Sequence, residues 1–239
     1  MDTAPTPVSI EPDPIQTSPP SPEAMKLLLA DLPAVIAAPL ADYEQAVWHL
    51  EQSAGPFSRN QSAAYLAVAE LCNAAEMLTR FTACLALSAL LHHQTSASIS
   101  SNLRKALGHS LRKPGFGLWA WVAKAAIRDL GRTKTPFCQE LAMWWQDHFH
   151  PLLGGENAEG AEEGVVALRN HLAHMGRLTE DESRGLHAAY RQRFAACVGR
   201  LGFLAASRVV HQFESGESVW LHGLEHVFPK AGDAPERPG

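Results

Sequence analysis

The amino-acid sequence predicts an all-α protein, a bundle of helices. Residues Asn60 to His93 repeat apolar side chains at spacings of three and four and are rich in alanine, which is typical of a long helix. Shorter stretches show the same spacing and are separated by glycine, proline and polar residues. The sequence shows neither an internal repeat nor a series of strand-like alternations. Helices that bury one apolar side must pack on each other, which favours a bundle.

The N-terminal region divides into a leader and two predicted helices. Residues 1–22 contain seven prolines and no lysine or arginine, which predicts a disordered leader, either a plain linker or a proline-rich docking ligand. The spacing turns helical at Glu23. Pro33 and Pro39 then predict a short helix, a break, and a second helix from about Pro39 to Gln52.

Further helices are predicted beyond the Ser/Thr-rich residues 94–101. Thr179 and Glu182 have the spacing of a capping box, which marks the start of one of them. The helical domain is predicted to span residues 23–211, followed by a loose tail, 212–239, with one short strand at Ser218–Leu221. The predicted helices cover about Asn102–Leu111, Leu118–Leu130, Pro136–Asp147, Ala161–Met175 and Thr179–His211, with a glycine-rich loop at 151–160.

Composition and charge favour a cytoplasmic protein with one domain of ordinary size. The chain has 239 residues, 46% of them hydrophobic, and a net charge of −5, which argues against a general nucleic-acid binder. Its four cysteines are widely spaced without a C-x-x-C pair, as expected for buried thiols in a reducing compartment. No signal peptide is apparent, and the apolar run Phe81–Leu91 is too short to span a bilayer. No membrane association is therefore expected.

Polar residues stand out in the segment from Val166 to Gly176. Arg169 and His174 form an R-x4-H pattern, and Asn170 follows the arginine directly. Asn170 and His174 are four residues apart and share one helical face, with His171 beside them. The neighbouring residues are apolar or small, as in a buried helix, so an ordinary solvated face does not explain these polar residues.

This pattern resembles the signature helix of the HEPN superfamily (higher eukaryotes and prokaryotes nucleotide-binding), which is defined by R-x4–6-H. The sequence LRNHLAHMG at residues 168–176 looks like the RNxxAHG variant of bacterial HEPN-like proteins, except that Met175 separates the histidine from the glycine. The segment Pro114–Trp119 is similar to a PSLGxW segment that precedes the motif in such modules, and the helical residues Ala69–Leu78 also fit. The resemblance covers roughly residues 40–205.

The resemblance implies a HEPN-like helical bundle and a metal-independent endoribonuclease of toxin or defence signalling. Arg169 would stabilise phosphate charge and His174 would transfer protons, with Asn170 positioning one of them and His171 in support. Glu70 or Glu76 could orient Arg169. Catalytic HEPN proteins are usually homodimers, in which each protomer supplies half of the site. The alternative is a non-catalytic interaction or sensor module, bound to a partner protein within a larger assembly.

A basic segment offers candidate RNA contacts. Residues 100–135 carry eight lysines and arginines against one acid, Asp129, a local balance of +7, and Trp119 and Trp121 lie among them. Cations neutralise phosphates and aromatic rings stack on unpaired bases, although two solvated helical faces with core tryptophans would give the same pattern. The residues that we assign to RNA binding are Arg104, Lys105, Arg112, Lys113 and Arg128.

Neither a metal nor a cofactor is expected. Asp147, His148 and His150 could supply metal ligands, as could His171 with His174, but zinc sites need three or four converging ligands and neither spacing indicates them. Phosphate-loop, dinucleotide-binding and nucleophile-elbow signatures are absent from the sequence.

Overall fold

The computed structural model confirms the all-α class and a helical bundle. It describes residues 21–52, 63–93, 99–112, 115–131, 135–154, 164–174, 178–206, 209–212 and 218–221. The predicted leader lies outside these ranges, apart from Ser21 and Pro22. The helices are α1 (Pro22–Asp31), α2 (Ala34–Gln52), α3 (Ala63–His93), α4 (Ser101–Arg112), α5 (Phe116–Leu130), α6 (Pro136–Trp144), α7 (His150–Leu153), α8 (Val165–His174) and α9 (Glu180–Val198).

Helices α1 and α2 are separated at Pro33 and not at Pro39. Ser21 caps α1, since its side chain accepts a hydrogen bond from the Ala24 N–H. Pro33 precedes α2 and its carbonyl accepts the N–H groups of Ile36 and Ala37. The prediction that α2 starts near Pro39 is wrong: this proline lies inside the helix. One missing N–H costs a single helical hydrogen bond, and the buried residues around Pro39 hold the helix together.

Helix α3 is the centre of the bundle and contacts α2, α5, α8 and α9. Several of its alanines, for example Ala67, Ala75 and Ala83, are fully buried, and such small side chains let neighbouring helices approach closely. Residues Ala63–Leu91 are also long and apolar enough to cross a membrane, by length and composition only. The core helix of a soluble protein meets the same criterion. Half of the 18-residue apolar stretch within Ala63–Leu91 is buried inside the protein.

The middle of the chain runs further as a helix than the sequence predicted. After α6, one π-helical turn (Trp145–Phe149) leads directly into α7, so the helical path extends past Asp147 to Leu153. Large aromatic residues anchor this path, because Trp145 is almost fully buried and the Trp144 indole donates a 3.0 Å hydrogen bond to the Cys197 carbonyl of α9. The predicted loop therefore begins at Gly154, which has a left-handed φ of 97°.

The capping box at the start of α9 is confirmed. The Thr179 hydroxyl accepts the Glu182 N–H at 3.3 Å, and the Glu182 carboxylate accepts the Thr179 N–H at 2.7 Å. The predicted extension of this helix to His211 is wrong, since α9 ends at Val198 and a 3₁₀ turn follows at Leu201–Ala206. Glycines at 199 and 202 disfavour continuation of the helix.

Two short strands follow the last helical turn. Strand β1 (Val209–Gln212) pairs antiparallel with β2 (Ser218–Leu221), and Val209 lies opposite Leu221. The strand predicted at Ser218–Leu221 is therefore confirmed, while His211 lies in β1. The β-branched pair Val209-Val210 favours a strand at this position. The predicted domain boundary between residues 211 and 212 falls inside β1.

Candidate functional site

Helix α8 lies on the bundle through a narrow apolar contact. Val165 and Leu168 are buried, and the helix contacts α3 and α7. Just before it, the chain passes extremely close to the end of α7: a Cβ atom on Gly164 would lie 2.3 Å from the Gly154 Cα. This crossing of two glycine backbones determines where α8 begins.

The other side of α8 faces solvent. Asn170, His171 and His174 are exposed, together with Ala167, at the spacing of three and four that defines one helical face. The expectation of a buried helix around the motif is therefore wrong. Alanine is compatible with either environment, so the small residues of this segment did not distinguish burial from exposure. The Asn170 side chain makes no hydrogen bond to another described residue, and its positioning role stays a prediction.

Arg169 points from the edge of this face toward the bundle, where Glu76 of α3 holds it. The Arg169 Nε donates to the Glu76 Oε2 at 2.9 Å. The Glu76 side chain is 9% exposed and that of Arg169 is 37% exposed, so the ion pair is buried at the carboxylate and open at the guanidinium. The expected contact with Glu76 is present, whereas Glu70 instead accepts a hydrogen bond from the Asn73 side chain.

A second arginine completes this cluster. Arg80 donates to the other oxygen of Glu76, Oε1, at 2.5 Å, and its side chain is 40% exposed. Two guanidinium groups thus share one carboxylate, which leaves the cluster of Glu76, Arg80 and Arg169 with one net positive charge. The Arg80 Nε is buried and has no hydrogen-bond partner among the described residues. A cation that is partly buried and not fully neutralised is a suitable contact for an anion.

A cysteine lies beneath the arginine cluster. Cys72 is fully buried on α3, one turn before Glu76. Burial raises the pKa of the Cys72 thiol to about 12, an effect that the nearby Arg169 opposes and Glu76 reinforces. The thiol is therefore protonated at neutral pH and is unsuited to act as a nucleophile.

The exposed end of α8 faces the start of α9. Hydrogen bonds from the backbone and side chain of Thr179 lower the pKa of Glu182, and the charge of His171 contributes in the same direction. His174 is exposed in the last turn of α8. Gly176, the predicted helix stop, lies outside the described residues.

The basic segment forms an open surface on α4 and α5. Arg104, Lys105 and Arg112 are exposed on α4, and Arg128 is exposed on α5; Lys113 lies outside the described residues. The one acid of this segment, Asp129, is buried and accepts the Ser100 N–H at 3.1 Å, so its carboxylate is not part of the exposed surface.

Trp121 marks a groove beside this surface, which we call the basic groove. The groove has a volume of about 580 Å³ and is lined by Trp121, Lys124 and Arg128 of α5, by α4 and α7, and by Val166 of α8. The Trp121 side chain is partly exposed, and its ring centroid lies 5.7 Å from that of His109. Val166 and His174 are eight residues apart, so the two ends of α8 are separated by about 12 Å. Helix α8 thus contributes Val166 to the lining of the basic groove and also carries the exposed motif residues.

Among the described residues, no group of three or more histidine, cysteine, aspartate or glutamate side chains could hold a metal ion. The alternative metal ligands Asp147, His148 and His150 occupy the π-helical turn and the start of α7. Burial, with the charge of Arg200, lowers the pKa of His148.

A second set of polar residues lies between α1, α2 and α9 and was not predicted. The Tyr43 hydroxyl and the His187 Nε2 are hydrogen-bonded at 3.3 Å in the buried region. Burial lowers the pKa of His187 to about 4 and raises that of Tyr43. Tyr43 and His187 are 144 residues apart, and no local spacing in the sequence relates them.

Comparisons with protein-family models, with curated proteins and with solved structures each found no match.

Proposed function

We propose that this protein is a metal-independent endoribonuclease whose site is built on α8, with Arg169, Asn170 and His174 as its catalytic residues. The observation that carries the proposal is the Glu76–Arg169 ion pair. A buried carboxylate fixes the inner edge of the guanidinium, while its two terminal nitrogens make no hydrogen bond to any described residue. Those nitrogens remain to bind a phosphate, and the exposed His171 and His174 lie two and five residues further along the helix.

This arrangement fits the chemistry of RNA cleavage through the ribose 2′-hydroxyl. A base removes the 2′-hydroxyl proton, the oxygen attacks the phosphorus, and an acid protonates the departing 5′-oxygen. A histidine side chain transfers protons near neutral pH, and a fixed arginine stabilises the charge that develops on the phosphate oxygens. Arg80 supports this role, because its charge offsets that of Glu76 and keeps the cluster positive.

The basic groove supplies a path for a nucleic-acid strand. Trp121 would stack on an unpaired base, and Arg128 with the exposed cations of α4 would neutralise phosphates. Val166, on the helix that carries the motif, is among the residues that line the groove. RNA bound there would continue along α8 toward His174.

The biological setting is part of the same proposal. A toxin or defence effector of the cytoplasm that acts as a homodimer would place two copies of α8 face to face. The exposed face of α8, with Asn170, His171 and His174, gives such an interface polar residues to contribute to a shared site.

The test is cleavage of a mixed-sequence RNA by the purified full chain in the presence of EDTA. We expect fragments that end in 2′,3′-cyclic phosphate. His174→Ala should lower the rate about 10²- to 10⁴-fold, because a proton-transfer group is lost. Arg169→Lys should lower it about 10²- to 10³-fold, because a lysine cannot reproduce the fork of donors. Arg184→Ala, at an exposed arginine paired with Glu180 on α9, is the control. Full activity in both motif variants would contradict the proposal.

A second candidate, a non-catalytic interaction or sensor module, is favoured by the same ion pair. Glu76 joins α3 to α8, so Arg169 has a stabilising role with or without catalysis. This candidate predicts that Arg169→Ala lowers the thermal midpoint while the wild type leaves RNA intact. A wild-type chain that cleaves RNA and loses this activity in His174→Ala, at unchanged thermal midpoint, would rule it out.

A further inference from the structure

A groove between α1, α2 and α9 is lined by residues that the proposed site on α8 does not use. Its volume is about 800 Å³, within the range of small-molecule sites. Residues of α1 and α2 form apolar walls, among them Met25, Leu29 and Val47, all buried. The groove is therefore an apolar cleft, and the few polar groups in it determine what it can bind.

One carboxylate in this groove lacks a hydrogen-bond partner. Glu44 is half-buried, and no described residue donates a hydrogen bond to it. The nearby cation, Arg191, donates to Glu51 at 2.6 Å. Burial raises the pKa of Glu44, Glu51 raises it further, and Arg191 opposes both effects. Ionised Glu44 is thus a half-buried charge that a ligand cation would stabilise.

An indole stands one helical turn from this carboxylate. Trp48 follows Glu44 by four residues on α2, so both side chains lie on the same face of the helix and line the same groove. Trp48 is 56% exposed, which is unusual for so large an apolar side chain. The His49 ring makes a T-shaped contact with Trp48, with ring centroids 4.9 Å apart. A carboxylate near an exposed aromatic ring is an arrangement that binds organic cations, through charge and through the ring quadrupole.

The other charged and titratable groups of the groove are already engaged or lie at its rim. Tyr43 and His187 are bonded to each other, and Arg191 is bonded to Glu51. Lys26 is exposed on α1 and does not contribute to the charge environment of Glu44. A negatively charged ligand would meet Glu44 unfavourably, and Arg191 already donates one hydrogen bond to Glu51.

We propose that this groove binds a small organic ammonium compound with an apolar body, its cationic head between the Glu44 carboxylate and the Trp48 indole. The body of the ligand lies along Met25, Leu29 and Val47. This site is independent of the α8 motif and would be present whether or not the protein cleaves RNA.

The test is isothermal titration of the full chain with three probes of one shape: phenethylammonium, the neutral 2-phenylethanol and the anionic phenylacetate. We expect phenethylammonium to bind and the other two to bind at least about tenfold more weakly. Glu44→Gln keeps the shape of the side chain and removes its charge, so it should weaken phenethylammonium about 10- to 100-fold. Trp48→Leu should weaken it about two- to fivefold.

The control variant is Glu140→Gln, at an exposed glutamate of α6 that does not line this groove. It should bind phenethylammonium as the wild type does. Three outcomes would overturn the proposal: no binding of phenethylammonium, equal binding of the anionic probe, or unchanged binding in Glu44→Gln. Circular dichroism of Glu44→Gln, unchanged from the wild type, would show that the loss of binding is local.

Discussion

Glu76 of α3 holds in place a residue of the proposed site, Arg169, that lies on another helix, α8. It is among the few charged residues buried in the described core, and it accepts hydrogen bonds from Arg80 and from Arg169. A buried carboxylate is stable only where cations and donors satisfy it. The two arginines provide this, and in return Glu76 fixes the position of Arg169.

Substitution of Glu76 by glutamine should therefore destabilise the protein. The charge that both arginines share would be lost, and one amide nitrogen would face a guanidinium. We expect the free energy of unfolding to fall by about 1–3 kcal/mol, measured by urea denaturation. Glu180→Gln, which removes half of an exposed pair with Arg184, should change it by less than about 1 kcal/mol. Equal effects of the two substitutions would show that the cluster of Glu76, Arg80 and Arg169 stabilises the protein no more than an exposed ion pair does.

The lowered pKa of His187 predicts how the free energy of unfolding depends on pH. Its pKa is about 4 in the folded protein against an ordinary value of 6.5, so between these values the unfolded chain binds the proton more tightly. The stability from neutral His187 is present above pH 6.5 and is lost as the pH falls toward 4. In His187→Gln the free energy of unfolding should decline less over this window. Urea denaturation of the wild type and of His187→Gln across this pH window is the measurement, and an equal decline in both would contradict the prediction.

At the scale of elements, the position of α8 depends on the glycine crossing that precedes it. A Cβ atom on Gly164 would lie 2.3 Å from the Leu153 carbonyl oxygen and from Gly154 backbone atoms, so no rotamer change can relieve the clash. Gly164→Ala should displace α8, lower the thermal midpoint and reduce any activity of the motif.

Gly185→Ala supplies a control with the opposite sign. Gly185 lies inside α9, and a Cβ atom there would meet nothing within 4 Å. Replacing a helical glycine by alanine in open space should stabilise the protein by about 0.5–1 kcal/mol. The expectation for Gly164 is incorrect if both alanine variants are stabilised.

Local signals in the sequence predicted most helices but not all of their ends. The spacing of apolar residues located α3, and the Thr179 capping box located the start of α9 to the residue. The errors arose where distant packing overrides local preference, as at Pro39, or where the prediction gave a stop residue too little weight, as at Gly199 directly after Val198. The same holds for the site: the pattern singled out Arg169, and Glu76 was one of two candidate partners, but only the packing of α3 on α8 decided between them.

At the scale of the whole molecule, the proposed dimer makes a sharp prediction about mixed variants. The prediction applies if each site takes Arg169 from one protomer and His174 from the other. The variants Arg169→Ala and His174→Ala would be unfolded, mixed and refolded together. The heterodimers that form should then contain one intact site. Statistical pairing would then restore about a quarter of the wild-type activity, although each variant alone is inactive. Sedimentation must show a dimer in the wild type. A dimer without restored activity would mean that each protomer holds a complete site.

Because α8 is short, we expect the motif to be helical only while α8 is packed on the rest of the bundle. Ten residues are too few for a stable helix in water without tertiary contacts, which takes about 12–15 residues even in favourable sequences. Val165, Leu168 and the Glu76 ion pair therefore maintain the helix as well as its position. Heating should melt α8 before α3, the helix at the centre of the bundle. The protein would then lose its active conformation at temperatures where most of its helical content is still present.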